Sequence, residues 1–266
     1  MDDEAERIAL GVVAAERARR ANVVGAEVLV IDGLVLALSN LPDPALSSVV
    51  VERRPSDAAA ALREAEGEFE RRGMQFGIDL QARRHPGVDA AVRAMGLTRI
   101  IERPGMVRDP RSLPEASAPD GIDIVEVSES GDIEALVHVG VKAFGDDPEV
   151  GLAFYGAGAR GLADASMFLA RRGGEPVGIS SAYRDGPTTG VMGVGVVPAA
   201  RRVGLGSALT VQAARAFPSA DLAWLHPSDE ARAMYARLGF RRVSDWEVWA
   251  RRPVGVDHEA GAGRLP

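Results

Sequence analysis

Cysteine is absent from the 266-residue chain. That excludes disulfides, thiolate metal sites and a cysteine nucleophile or acyl carrier. Lysine is nearly absent: Lys142 is the only one among 31 basic residues. The arginine preference reads as compositional bias rather than as arginine-specific recognition. Long apolar runs are missing, and none approaches the ~20 residues of a membrane-spanning helix. An excess of positive charge is missing too. The net charge of −7 argues against general nucleic-acid binding, which favours a basic face. The four histidines, at 85, 138, 226 and 258, lie far apart in sequence and show no metal-ligand spacing. Met1-Asp2-Asp3-Glu4 is acidic and lacks the pattern of a signal peptide. The expectation is a cytoplasmic protein with no membrane, nucleic-acid or metal partner. What the chain does have is 46% hydrophobic residues. Its length suits one large or two ordinary domains.

The most informative stretch is Val191–Leu209, VMGVGVVPAARRVGLGSAL. Val191, Val194, Val196 and Val197 read as a buried strand, which Pro198 ends because it has no N–H to donate. Arg201-Arg202-Val203-Gly204-Leu205-Gly206-Ser207 then leads into a helix expected to run to about Phe217. Gly204 and Gly206 allow close approach of a ligand to the backbone. The first N–H groups of a helix have no partner within it, and the helix dipole adds positive character. Together these features make an anion site suited to phosphate or pyrophosphate.

The run R-R-V-G-L-G resembles the Q/R-x-x-G-x-G/A signature of the GNAT (Gcn5-related) N-acetyltransferase superfamily. Pro198, Arg201 and Gly204 fit that family's V-x-P-x-x-R-x-x-G form. Downstream, DEARAMYARLGF at Asp229–Phe240 resembles the family's A-x-x-x-Y-x-x-x-G-F segment through Ala231, Tyr235, Gly239 and Phe240. The resemblance implies an acetyl-CoA-dependent N-acetyltransferase acting on a small-molecule or protein amine by direct attack. Its alternative is a catalytically silent acyl-CoA-binding or regulatory module. It implies that backbone groups of Val194, Gly195 and Val196 pair with the pantetheine arm. Backbone N–H groups from Arg202 to Ser207, within the loop that Arg201 opens, would hold the pyrophosphate. It places Tyr235 as the general acid. It also sets Ser228 where many relatives carry an asparagine that touches the cofactor arm. A serine just before Asp229 reads equally well as a helix cap. Thr188–Val197 contains no carboxylate, so the base is open. Its candidates are His226, Asp146, Asp147, Glu149 and Glu247, or bulk water.

The rest of the chain carries an internal repeat. Met95-Gly96-Leu97-Thr98-Arg99-Ile100 parallels Leu238-Gly239-Phe240-Arg241-Arg242-Val243, and His85-Pro86 parallels His226-Pro227. Gly96 to Pro110 has the same spacing as Gly239 to Pro253. We read a tandem duplication. The expected fold is α/β (α+β): two GNAT-like domains, each a mixed, mostly antiparallel sheet flanked by helices. The expected boundaries are 1–110 for a degenerate copy, 111–121 for a linker, 122–253 for the working domain and 254–266 for a disordered tail. Two such halves in one chain fit a monomer or a homodimer.

In the first half the expected elements are helix Glu4–Arg20, strands Ala26–Ile31 and Leu34–Ser39 about an Asp32-Gly33 turn, and strand Leu46–Glu52. Next come a helix capped by Ser56 and closed by Gly73, strand Met74–Gln81, helix Pro86–Met95 and strand Arg99–Val107. Arg53-Arg54-Pro55-Ser56-Asp57 stands where a phosphate loop belongs, without glycine and with an acid that repels anions. Val92 stands where the second half has Tyr235. In the second half the expectation is strand Ile122–Val127, helix Asp132–Phe144 and an acidic turn leading to a short helical stretch ending at Tyr155. A flexible Gly156–Gly161, the hairpin Ser166–Arg184, strand Leu222–His226, helix Asp229–Leu238 and strand Trp246–Arg251 complete it.

Overall fold

The computed structural model describes residues 3–251, apart from 22, 24, 40–45, 116, 128–129, 146, 150 and 152–161. Residues 41–45, most of the helical stretch expected to end at Tyr155, the stretch 156–161 and the tail 254–266 lie outside the described residues.

The chain opens with helix α1, Asp3–Arg20. Acids in its first turn and arginines in its last complement the helix dipole. Strands β1 (Glu27–Ile31) and β2 (Leu34–Leu38) form a hairpin about Asp32 and Gly33. Both turn residues have positive φ, as a two-residue turn matched to strand twist requires. Then come β3 (Ser48–Val51), α2 (Ala58–Arg71), β4 (Gly77–Gln81), α3 (Pro86–Ala94) and β5 (Thr98–Arg108). The second half contributes β6 (Ile122–Glu126), α4 (Ser130–Phe144), β7 (Ala165–Arg172), β8 (Glu175–Asp185) and β9 (Thr188–Val196). It ends with α5 (Leu205–Ala214), β10 (Leu222–Leu225), α6 (Arg232–Arg237) and β11 (Arg241–Ala250).

Several local expectations change: the strand expected at Trp246–Arg251 runs from Arg241 to Ala250, and the one expected at Met74–Gln81 begins at Gly77. The cap of α2 is Asp57, whose Oδ1 accepts the N–H of Ala60 at 3.0 Å. Ser56 instead gives its N–H and its hydroxyl to Asp32. The helix after the glycine loop stops at Ala214, short of Phe217, and α6 starts at Arg232 rather than at Asp229. Asp57→Ala is expected to cost about 1 kcal/mol, the usual worth of an N-cap, read from a chemical denaturation midpoint.

All eleven strands form one sheet, in the order β1-β2-β3-β4-β11-β5-β10-β9-β8-β7-β6. The order has an internal symmetry. Reading inward, β1-β2-β3-β4 and β7-β8-β9-β10 have the same pairings: antiparallel, antiparallel, then parallel. At the centre the last strands change sides. β11 pairs with β4 of the first half, and β5 pairs with β10 of the second. β5 and β11 run antiparallel to each other along nearly their whole length. The pair Thr98↔Ala250 and the pair Val107↔Arg241 are images of one another when Gly96 is set against Gly239.

Helix α1 lies on the sheet face away from α5. Its Ile8, Val12 and Val13 pack with Val35, Val50, Val107, Leu222, Trp224 and Trp246, residues drawn from both halves. Glu16 and Arg20 form a buried pair on this helix. Ser48 donates to Glu16 at 3.2 Å, and Arg20 donates to the carbonyl of Leu46. The expected linker begins with a short 3-10 turn, Pro110–Ser112. Leu113 is buried in the second-half core, and Arg215 donates to the carbonyls of Pro110, at 3.1 Å, and Leu113.

Candidate functional site

The parallel pair β9–β10 holds together only from Thr188↔Leu222 to Gly190↔Trp224. Beyond Gly190, β9 continues to Val196 with β8 on one side and no strand of the described residues on the other. The N–H of Val197 donates to Val177 of β8 at 3.0 Å. Backbone polar groups alternate in direction along a strand. The N–H of Val196 therefore points to the open edge, and Val194 lies just ahead of it, where the register with β8 shifts and Gly193 has a φ of +59°. The carbonyl of Val196 accepts from Arg201 Nε at 3.0 Å. Gly195 faces the other layer, where an added Cβ would lie 2.7 Å from the ring of Phe144. Its missing side chain lets the end of α4 sit on β9.

A 3-10 turn at Pro198–Ala200 carries the chain from β9 toward α5. Arg202 and Gly204 then have φ of +66° and +90°. Left-handed residues placed among right-handed ones turn successive N–H groups to one side and make an anion-binding concavity. For Arg202, a residue with a Cβ, that conformation costs on the order of 1–3 kcal/mol. The first backbone bond of the helix is from Ala208 to Gly204, at 3.1 Å. The N–H groups of Leu205, Gly206 and Ser207 thus lie ahead of the helical ladder. Space above Gly204 is open, with nothing within 4 Å of an added Cβ. At Gly206 an added Cβ would meet Met234 Sδ at 3.2 Å, so the close approach of α5 to α6 depends on that glycine. Leu205 is buried in the core and Val203 is 49% exposed. Arg201 contributes differently from Arg202. Its N–H is taken by Pro198, and its side chain joins Val196 to the carbonyl of Ala143 at 3.0 Å, stapling the last turn of α4 to the strand end.

Tyr235 is buried on α6, edge-on to Phe240 with ring centroids 6.0 Å apart. Burial pushes its phenol up to about 12, against a smaller opposing effect of the hydrogen bond with Thr210 on α5. Thr210 spends its own proton on the carbonyl of Gly206, at 2.8 Å. Ser228 is exposed, and its carbonyl rather than its hydroxyl meets the helix start, accepting from Ala231 and Arg232. Because α6 has no side-chain cap, a capping hydroxyl at Ser228 is not found.

Among the base candidates, Glu247 is engaged. Burial opposes its ionisation, but donors from Arg99, at 2.8 Å, and Trp249, at 2.9 Å, outweigh it and hold the carboxyl below its ordinary range. His226 stands two residues past Trp224, where β9 and β10 separate, with its ring 4.7 Å from that of Trp246. Burial and then Arg103 push its pKa well below the usual imidazole value, so it is neutral at physiological pH and a weak base. Asp147 and Glu149 are exposed, with Asp147 accepting the N–H of Glu149. Asp146 lies outside the described residues. Among the described residues no cluster of three or more metal-ligating side chains occurs, and no helix is long and apolar enough to cross a membrane.

The corresponding places in the first half are filled from within. At the start of α2 the Asp32 carboxylate accepts the N–H of Ser56 at 2.6 Å, its hydroxyl at 2.6 Å and the N–H of Asp57 at 3.4 Å. These donors hold Asp32 below the usual carboxylate range. At the end of β3, Arg84 gives one N–H to the carbonyl of Val51 at 2.6 Å and another to Glu52 at 3.0 Å. Its Nε goes to Glu6 at 2.8 Å, and the side chain is 3% exposed. Sequence reading missed both contacts. The signal available was four extra residues, Gln81–Arg84, ahead of His85, against none ahead of His226 when the paired strands are matched.

A family model described as an acetyltransferase (GNAT) domain matches residues 163–242, the span that holds the open strand edge, the glycine loop and Tyr235. A mycothiol acetyltransferase of Nocardioides sp. is 30% identical over 204 residues, covering 65% of this chain and 69% of that protein. A mycothiol acetyltransferase of Parafrankia sp. is 33% identical over 181 residues, 57% of this chain and 55% of that protein. The first-named curated relatives are thus matched over little more than half their length. Among solved structures, a GCN5-related N-acetyltransferase from Kribbella flavida superposes with a TM-score of 0.75 at 25% identity, over 95% of this chain and 97% of that one. A tandem GNAT protein from the clavulanic acid biosynthesis pathway shares the fold with a TM-score of 0.63 at 18% identity, over 95% and 97% of the two chains. With the family model over the span that carries the motifs and a relative at 30% identity matched over two thirds of its length, the chain belongs to the GNAT acetyltransferase family.

Proposed function

We propose that the chain is an acetyl-CoA-dependent N-acetyltransferase whose transfer site is the gap between β9 and β10. The observation that carries this reading is the coincidence of an open strand edge at Val194–Val196 with an unpaired N–H concavity from Arg202 to Ser207. The two fit the amide-bearing arm and the pyrophosphate of one long ligand. Acetyl-CoA would supply the activated acetyl group as a thioester. The N–H groups of Arg202–Ser207 hold the negative charge, aided by the α5 dipole. The outward N–H of Val196, with the backbone of Val194, aligns the arm and polarises the carbonyl. The amine lone pair attacks that carbonyl carbon, a C–N bond forms and the C–S bond breaks. Tyr235 protonates the departing thiolate, and water removes the proton lost by the amine. A phenol held up near 12 keeps its proton across the neutral range, as an acid in this role must.

Tyr235→Phe is expected to lower kcat about 100-fold, within the usual range for a general acid, while the Kd for acetyl-CoA stays within twofold. Unchanged kcat would remove Tyr235 from the chemistry. A second reading, an acyl-CoA-binding module without turnover, draws support from the neutral His226 and the engaged Glu247. Release of free thiol from acetyl-CoA in the presence of primary amines separates the two. The relatives' names direct the first trials to amino groups of mycothiol-like compounds.

The same reading gives one cofactor per chain. Asp32 takes the place of an anion at α2, and Arg84 covers the strand edge at β3. Titration calorimetry with acetyl-CoA is expected to return one site. Two sites would show that Asp32 and Arg84 yield to the ligand.

A further inference from the structure

We infer that Asp79, Gln81 and Arg103 of the first half, with His226 of the second, form the acceptor chamber of the transfer site, built for an amine that carries hydroxyl groups. This inference rests on the transferase reading above. It starts from buried polar atoms that the fold leaves without partners. Asp79 Oδ1, Gln81 Oε1, Arg103 Nε and His226 Nε2 are all buried and lack a hydrogen-bond partner among the described residues. Gln81 as a whole is only 6% exposed. Each such atom costs on the order of 1–3 kcal/mol when left unpaired, and these are four of ten such side-chain atoms among the described residues. Four in one place call for a polar occupant.

They are in one place because of the strand exchange. Gln81 on β4 and Arg103 on β5 are the two register partners of Trp246 on β11. The Trp246 ring lies against His226. Asp79, two residues before Gln81 and on the same face, forms an ion pair with Arg103. Arg103 also acts on the His226 ring electrostatically. These polar side chains thus surround Trp246 across β4, β5 and the end of β10, beneath the first turns of α1, where Ile8 approaches Gly105. Had β11 and β5 stayed with their own halves, β4 and β10 would not lie on either side of the same strand pair. His226 sits where β9 and β10 part, so this group of side chains leads to the reacting carbonyl from the face opposite α5.

The unpaired atoms set the ligand class. Asp79 Oδ1 and Gln81 Oε1 accept, whereas Arg103 Nε donates. The Asp79–Arg103 pair is neutral overall and does not repel a neutral nucleophile. An amine with neighbouring hydroxyls satisfies both kinds of group. An apolar amine strands them, and a site built on hydrogen bonds rejects such analogues strongly.

The test uses the full chain with D-glucosamine and 2-phenylethylamine as acceptors. Wild type should acetylate glucosamine with a kcat/KM at least tenfold above that for phenylethylamine. Asp79→Asn should raise the KM for glucosamine at least tenfold, with kcat and the Kd for acetyl-CoA each within twofold. Because Asp79 also serves Arg103, Gln81→Leu is the second variant. It removes an unpaired atom, keeps the melting temperature within a few degrees and should bring the two acceptors within threefold of each other. Equal preference in wild type, or unchanged discrimination in Gln81→Leu, overturns the chamber. Saturation-transfer NMR with glucosamine and no acetyl-CoA reads the chamber independently of transfer. Signal in wild type that is lost in Asp79→Asn supports it, and no signal in wild type overturns it. Failure of the transferase reading shows elsewhere, as absence of acetyl-CoA binding by calorimetry.

Discussion

Gly204→Glu/Gly206→Glu is expected to abolish acetyl-CoA binding, weakening it at least about 1000-fold, or ~4 kcal/mol, while the protein stays folded. Three effects add. Gly204 holds φ at +90°, a region where a side chain costs on the order of 1–3 kcal/mol. The loop relieves that strain by turning its N–H groups out of convergence. The space above Gly204 is open, so a glutamate there enters the place an anion would take and repels it. At Gly206 the new Cβ presses Met234 at 3.2 Å and moves α6, which carries Tyr235. Calorimetry measures the loss, and a melting temperature within a few degrees of wild type shows that the fold survives. Retained binding would place the cofactor somewhere other than this loop.

The second large effect is on stability. Trp224→Ala is expected to cost about 3–5 kcal/mol, as large aromatic truncations in cores do. Trp224 is 1% exposed and lies between two glycines. An added Cβ at Gly11 of α1 would come within 2.4 Å of its Nε1, and one at Gly190 of β9 within 2.5 Å of its ring. The indole is thus the contact through which a first-half helix grips a second-half strand pair. Gly11→Ala should by itself cost about 2–3 kcal/mol through overpacking. In a Trp224→Phe background, where the smaller ring retreats, the same substitution should cost at least 1 kcal/mol less, since neighbouring changes couple. Denaturant midpoints for the four chains give the coupling. Independent, additive costs would mean that α1 packs on the sheet by some other contact.

Much of the local geometry around the candidate site was legible in the residues. Val194–Ser207 and Tyr235 follow from local pattern, because a strand stopped by proline and a glycine turn into a helix depend on near neighbours. So do the hairpin about Asp32-Gly33 and the end of α2 at Gly73. Other assignments failed for physical reasons. Ser56 and Asp57 are both good caps by type, and the choice between them came from Asp32, which lies 24 residues earlier and claims both donors of Ser56. Glu247 was an open candidate until Arg99 and Trp249 were found to occupy its oxygens.

The sequence alone determined most of the elements, their order, the internal similarity of the two halves and the glycine loop, since each rests on periodicity, turn chemistry or spacing within a short window. Tertiary structure alone decided which strands are neighbours. The repeat is equally compatible with β11 beside β10 and with β11 beside β4, because both pairings bury the same apolar faces and satisfy the same backbone groups. Only the assembled sheet, with β5 and β11 antiparallel at its centre and α1 lying across them, sets Gln81 of the first half and His226 of the second beside the same Trp246. Side chains far apart along the chain meet through a choice of partner strand that no local pattern encodes.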